Sequence, residues 1–304
     1  MRLLRLLLPI PLAGCSSGGT VSSAPAHADN PDDGVRIPAD MDASYLMYDR
    51  VKDRVLAQRN PHKAYRSASV VKILIALDYL YSKGSFIDIS PKDLTALESM
   101  LRSSDDDAAN DFWDCAGQTA VVDRMVIKLE LRDTRRPANP DFWGHTAFTA
   151  SDILRVYRYL LEAPDEPFRR FVLDNIGKST SCASDGRDQY FGIPRAVHTP
   201  FRIKQGWSAF GDVPNGQECK PAAPHAERPG VGAPTAPTAE PSSRTTPPPD
   251  IDLKSRLLHT TGLVDQDQTI LIVLALYPRT TPWEDAAAKI TAITQQVYAS
   301  GTRR

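Results

Sequence analysis

The sequence predicts an α+β fold, an antiparallel five-stranded sheet with flanking helices plus an all-helical lobe. Three observations predict it: two short strand-like runs open the folded part, a long helical tract follows, and three strand-like runs with an amphipathic helix close it. Terminal strands in such an order share one sheet, and the helices between them form a second lobe. A chain of 304 residues has room for one large domain or two small ones. With 36 basic against 37 acidic side chains there is no basic stripe, so nucleic acid is not an expected partner.

Taken in order, the chain opens with Arg2 and Arg5, a short apolar run from Leu6 to Pro11, and Leu12-Ala13-Gly14-Cys15. This is the pattern of an exported segment, and its last four residues match the box cut by bacterial lipoprotein signal peptidase. Residues 1–14 are therefore expected to be a signal peptide, Cys15 a lipidated first residue, and residues 15–40 a flexible tether. The alternatives are a chance cysteine after an ordinary signal peptide, or a buried helix; the run is too short to span a bilayer. Anchoring places the domain, residues 41–300, on the outer face of the cell membrane, with the membrane as its partner.

Outside the cytoplasm, Cys115, Cys182 and Cys219 leave one disulfide and one thiol. Cys182 with Cys219 is the preferred pair, because both flank segments expected to border one cleft. Cysteine spacing and scattered histidines fit no metal site, and no phosphate-binding glycine loop is present, so neither metal nor cofactor is expected.

Tyr45–Asp49 and Arg54–Gln58 read as strands joined by a charged turn. A helix is expected from Ser69 to about Tyr81, apolar on nearly all sides except at Lys72 and Asp78, hence central and buried. Ser90-Pro91-Lys92-Asp93 is a complete helix start, running to about Arg102. After a break at Ser103–Asp107, a new helix carries Ala108–Trp113, and Ser104 or Asp105 is a ready cap for it. Thr119–Lys128 is helical, 135–146 irregular, Thr149-Ala150-Ser151-Asp152 caps an amphipathic helix, and Pro167–Ile176 forms one more. Phe191-Gly192-Ile193-Pro194 is a turn before the alternating strand Phe201–Trp207. Ten of the 25 prolines fall within 213–250, which reads as a loop insertion. Strands Ser255–Gly262 and Thr269–Leu276 and a helix from Trp283 to Tyr298 complete the chain.

Chemistry is suggested by Ser69 and Lys72, the only serine and lysine three apart in that order. At the start of a helix this spacing puts both on one face, where a desolvated amine can take the hydroxyl proton. Helical N–H groups at that end would face a developing oxyanion. Two further groups follow in order, Ser104-Asp105-Asp106 and Lys204-Gln205-Gly206.

Together the three motifs resemble the class A beta-lactamase and penicillin-binding-protein superfamily, whose motifs are Ser-x-x-Lys, Ser-Asp-Asn and Lys-Thr-Gly. The similarity runs from about Tyr45 to Tyr298, and is closest to actinobacterial cell-envelope lipoproteins carrying this domain. The resemblance implies that Ser69 is the acylated nucleophile, Lys72 its base and Ser104 the proton relay. It also implies that Asp106 meets the substrate amide, that Lys204 attracts the substrate carboxylate, and that Gln205, Gly206 and Trp207 complete the substrate-binding edge. Backbone N–H groups of Ser69 and Trp207 would form the oxyanion hole, with Trp207 walling the cleft. The implied substrate is cell-wall peptide or a beta-lactam-like amide, and the chain is expected to be a monomer.

Three departures oppose an efficient beta-lactamase. Between Arg135 and Thr146 the only acid is Asp141, and no glutamate is there to activate water. Asp106 stands for asparagine beside Lys72, where an anion favours the protonated amine. Gln205 replaces a hydroxyl, although its amide can still donate. The alternative is a catalytically impaired pseudoenzyme serving as an envelope binding or scaffold module.

Overall fold

In the computed structural model, which describes residues 34–163, 166–220 and 251–303, the chain enters its sheet through the hairpin β1 (Asp42–Asp49) and β2 (Arg54–Arg59). The predicted signal segment, Cys15 and residues 221–250 of the proline-rich stretch lie outside the described residues. Residues 34–40, expected as tether, lie along the domain: Val35 and Ile37 pack against its core and Arg36 N–H donates to Gln296.

A two-residue strand β3 (Tyr65–Arg66) and a 3-10 turn (Ala68–Val71) follow, leading into α1 (Lys72–Lys83). Helices α2 (Pro91–Arg102), α3 (Asp106–Cys115) and α4 (Ala120–Lys128) build the helical lobe. Strand β4 (Ala147–Phe148) pairs with β3 in a small sheet that sequence periodicity did not reveal. Helices α5 (Ala150–Glu162), α6 (Glu166–Ile176) and the one-turn α7 (Ile193–Ala196) precede β5 (Arg202–Ser208). Strands β6 (Arg256–Val264) and β7 (Thr269–Tyr277) and helix α8 (Trp283–Thr302) end the chain.

All neighbours in the five-stranded sheet are antiparallel, in the order β2-β1-β7-β6-β5, so the two N-terminal and three C-terminal strands join in one layer. Both faces are buried, and the period of two divides the strand residues between two cores. Leu46, Tyr48, Ile270, Ile272 and Leu274 face the helical lobe, whereas Tyr45, Met47, Leu271, Val273 and Ala275 face α8. At Gly262 a Cβ would lie 2.2 Å from Arg202 O, so only glycine admits the edge strand β5 at that point.

Caps place the helix starts. Ser90 Oγ accepts from Asp93 N–H at 3.1 Å, and Thr149 Oγ1 from Asp152 N–H at 3.1 Å. Asp105, not Ser104, caps α3, accepting from Ala108 N–H at 3.1 Å. Ser104 is thereby free for another role. The expected helix start at Ser69 is displaced: Ser69 sits in the 3-10 turn, and the α-helix proper begins at Lys72. As expected, α1 is enclosed, and its two polar exceptions are buried with partners; Asp78 accepts from Arg124 at 2.6 and 2.7 Å.

Candidate active site

The site forms where the 3-10 turn carrying Ser69 meets the edge strand β5. Gly206 makes that approach possible, since a Cβ there would lie 3.0 Å from Ser67 O and 3.2 Å from Val70 Cγ2. Behind the turn, β6 supplies His259, whose Nε2 lies 2.9 Å from Arg66 O while Nδ1 lies 3.4 Å from Ala275 N. Nδ1 also lies 2.9 Å from Leu258 O, and burial holds this imidazole neutral, its pKa pushed down to about 4. The buried Arg66 guanidinium in turn donates to the carbonyls of Asp252 and Ser255, so the segment entering β6 is tied to the residue three before the nucleophile.

Ser69 is 6 % exposed, and its Oγ has no hydrogen-bond partner among the described residues. It lines a cavity of about 350 Å³ together with Asp106, Asp141, Trp143, His145 and Trp207. Lys72, one turn on, is fully buried, but its amine does not bond Ser69. Instead Nζ donates to the carboxylate of Asp106, to Ser104 O at 2.7 Å and to Ser104 Oγ at 3.4 Å. Asp106 raises the Lys72 pKa, as expected, but it is not the largest influence. Burial dominates and pushes the Lys72 amine below the usual lysine range, while Asp106 opposes.

Lys204, on β5 and 1 % exposed, donates to Ser104 Oγ at 2.7 Å. Desolvation, reinforced by the neighbouring Lys72, pushes its amine well below the usual range. Ser104 is thus the junction of both lysines, and it holds a positive φ of 60° to present its carbonyl and hydroxyl to the same point. Ala68, beside the nucleophile, has φ 44°. The loop at 180–189 fixes this junction from outside, since Ser184 N–H donates to Ser103 O at 2.8 Å and Thr180 N–H to Arg102 O at 3.1 Å.

Gln205 does not face the cleft. Its Nε2 donates to Gln189 O at 3.1 Å and Phe191 O at 2.7 Å, so the amide expected to donate to a substrate carboxylate is already engaged by the backbone. Trp207 lines the cavity and donates from Nε1 to Asp185 at 2.8 Å. Cys182 is disulfide-bonded to Cys219 with a Cα separation of 5.4 Å, and Cys115 is an exposed thiol.

Sequence reasoning missed Trp143 and His145, in the irregular stretch 135–146. The Trp143 ring lies 4.7 Å from Lys72 Nζ, and its Nε1 donates to Asn110 at 2.8 Å, which lays the indole over the amine. His145 stacks on Phe142 with ring centroids 4.9 Å apart, and burial with the nearby Arg66 charge lowers its pKa. Two aromatic residues and a histidine in an irregular stretch were the available signal.

No family model matches the chain. Relatives from Mycobacterium bovis and Mycobacterium tuberculosis, named as a candidate lipoprotein LppW, are 35 % identical over 169 residues, which is 54 % of this chain and 53 % of theirs. The chain therefore spans about half the length of the curated relatives it matches. Among solved structures it is similar to PBP-A, with a TM-score of 0.59 and 12 % identity over 89 % of this chain and 93 % of that one. A PBP-A acyl-enzyme complex with penicillin G aligns with a TM-score of 0.57 at 12 % identity, covering 88 % of this chain and 92 % of that one. A class A beta-lactamase from Bacteroides cellulosilyticus aligns at 0.56 and 12 %, covering 87 % and 93 %. Sheet order, helical lobe and these superpositions agree: the chain has the fold of the class A beta-lactamases and penicillin-binding proteins.

Proposed function

We propose that this chain is an extracytoplasmic, lipid-anchored serine acyltransferase or hydrolase that forms an acyl-enzyme at Ser69 with a cell-wall peptide or a beta-lactam-like amide. The observation that carries the reading is the unpartnered Ser69 hydroxyl, facing a cavity and preceding a buried lysine whose amine is shifted toward neutrality. In this reaction Ser69 Oγ attacks the carbonyl carbon and its proton passes to the neutral Lys72 amine. Ser104, hydrogen-bonded to Lys204 and within 3.4 Å of Lys72, relays a proton to the departing nitrogen as the C–N bond breaks. N–H groups of Ser69 and Trp207 receive the oxyanion.

The anchor at Cys15 rests on the sequence pattern and on the lipoprotein name of the mycobacterial relatives. Release of the acyl group is slow in this scheme, because among the described residues no glutamate lines the cavity beside Ser69; Asp106, Asp141 and His145 are the acceptors there.

The second reading, a binding module without turnover, is favoured by one contact, the engagement of Lys72 by Asp106 instead of Ser69. Incubation of the full chain with a fluorescent penicillin, followed by intact-mass measurement, separates the two. A lasting adduct on the wild type that Ser69→Ala lacks supports the acyl-enzyme; no adduct at high concentration transfers the weight to the binding module.

A further inference from the structure

We propose that His145 is the general base that brings water onto the acyl group at Ser69, so that this histidine ends each turnover. The proposal rests on the acyl-enzyme reading above and assigns the residue that carries its slow release.

His145 closes a 3-10 turn, Trp143–His145, that is laid on the nucleophile turn. The backbone on either side of it is bonded to Ser67, two residues before the nucleophile. Thr146 O accepts from Ser67 N–H at 2.7 Å, and Gly144 O from Ser67 Oγ at 3.4 Å. At Gly144 a Cβ would lie 3.5 Å from Ala68 Cα, so the two turns are in direct contact. His145 and Ser69 are thereby held in register, and both line the cavity of about 350 Å³, which has room for water beside an acyl group.

Of the three acceptors there, Asp106 is engaged by Lys72, and Asp141 is exposed with no contact that fixes its carboxylate among the described residues. His145 is partly buried and positioned by its stack on Phe142, yet neither ring nitrogen has a hydrogen bond among the described residues. The ring nitrogens of His259, by contrast, face backbone groups. Burial and the Arg66 charge hold the His145 ring toward its neutral form, the one that accepts a proton.

In the step, the water oxygen attacks the ester carbonyl carbon as one of its protons passes to the unprotonated nitrogen of His145. The tetrahedral centre then collapses, the bond from the carbonyl carbon to Ser69 Oγ breaks, and the imidazolium returns its proton to Oγ. A carboxylic acid and the free enzyme remain. Among the described residues no carboxylate bonds the second ring nitrogen, so the ring is not oriented as in a catalytic triad and release stays slow.

The test uses the full chain. The penicillin adduct is formed, excess penicillin is removed and loss of the adduct is followed by intact mass, so that the decay rate is independent of how fast the adduct formed. The His145→Ala adduct should decay more slowly than the wild type by about tenfold or more. Imidazole in the buffer should then speed the decay of His145→Ala more than that of the wild type, a response that a merely structural role would not give. His145→Gln, of similar bulk against Phe142, should decay as slowly as His145→Ala. Decay at the wild-type rate in either variant overturns the proposal and leaves the acyl-enzyme intact, as does slowed decay that imidazole does not restore. A wild type that consumes penicillin without a detectable adduct supports the proposal if His145→Ala accumulates one, and otherwise overturns it. Should the wild type neither form an adduct nor consume penicillin, the acyl-enzyme reading falls and this proposal with it.

Discussion

Lys204 Nζ donates to Ser104 Oγ at 2.7 Å, and both groups are buried. Neither motif predicts this bond by itself, since the partners are a hundred residues apart and meet only in the folded chain. Ser104→Ala would leave a buried amine without its acceptor. The expected cost is about 1–3 kcal/mol in urea denaturation, together with slower penicillin adduct formation. Ser104→Thr, which keeps the hydroxyl, should recover most of the adduct rate.

Asp106→Asn removes the carboxylate that opposes the burial effect on Lys72. The sign is set by that opposition: without the anion the amine pKa falls further, and the neutral base is reached at lower pH. Adduct formation at Ser69, measured across pH, should shift its rising limb to lower pH. About tenfold in rate at a fixed pH on that limb accompanies each unit of displacement. An unmoved limb would mean that Lys72 is not the base.

His259 links stability to pH. Its folded pKa of about 4 lies below the ordinary value of 6.5, so between these limits the unfolded chain binds a proton that the folded chain refuses. Stability is whole above pH 6.5, falls as the pH drops, and the histidine contribution levels off near pH 4. The total loss approaches about 3 kcal/mol. Chemical denaturation over this window measures it, and His259→Gln should flatten the slope.

Reduction of the Cys182–Cys219 bond releases a loop of sequence separation 37. Loop-closure entropy predicts a loss of about 2–4 kcal/mol on changing both cysteines to serine. Because Ser184 and Thr180 hold the backbone before Ser104, the same change should slow Ser69 acylation; denaturation and adduct kinetics together read both effects.

Much of this fold was legible in the sequence because its signals are local. Ser90 and Thr149 announce helices through their own caps, and alternation marks β5. Legibility ended where a side chain's use depended on a distant element. Alternation puts Gln205 on the face opposite Lys204, yet which face meets the helical lobe is decided by packing, so its turn toward Gln189 and Phe191 could not be read. The same holds for Lys72. Its spacing from Ser69 is sequence, but the balance between burial and Asp106 is a property of the assembled core. Trp143 and His145 lie in a stretch without periodicity, and only their approach to Lys72 and the cavity shows their place.

The two margins of the proline-rich stretch are fastened independently, Cys219 by its disulfide and Asp252 by the Arg66 guanidinium. In evolutionary terms, the residues between these clamps can be lengthened, shortened or recoded while Ser69 keeps its position. Drift in that stretch should therefore leave the chemistry untouched, whereas a lineage that lost Arg66 would have to rebuild the floor of its nucleophile turn.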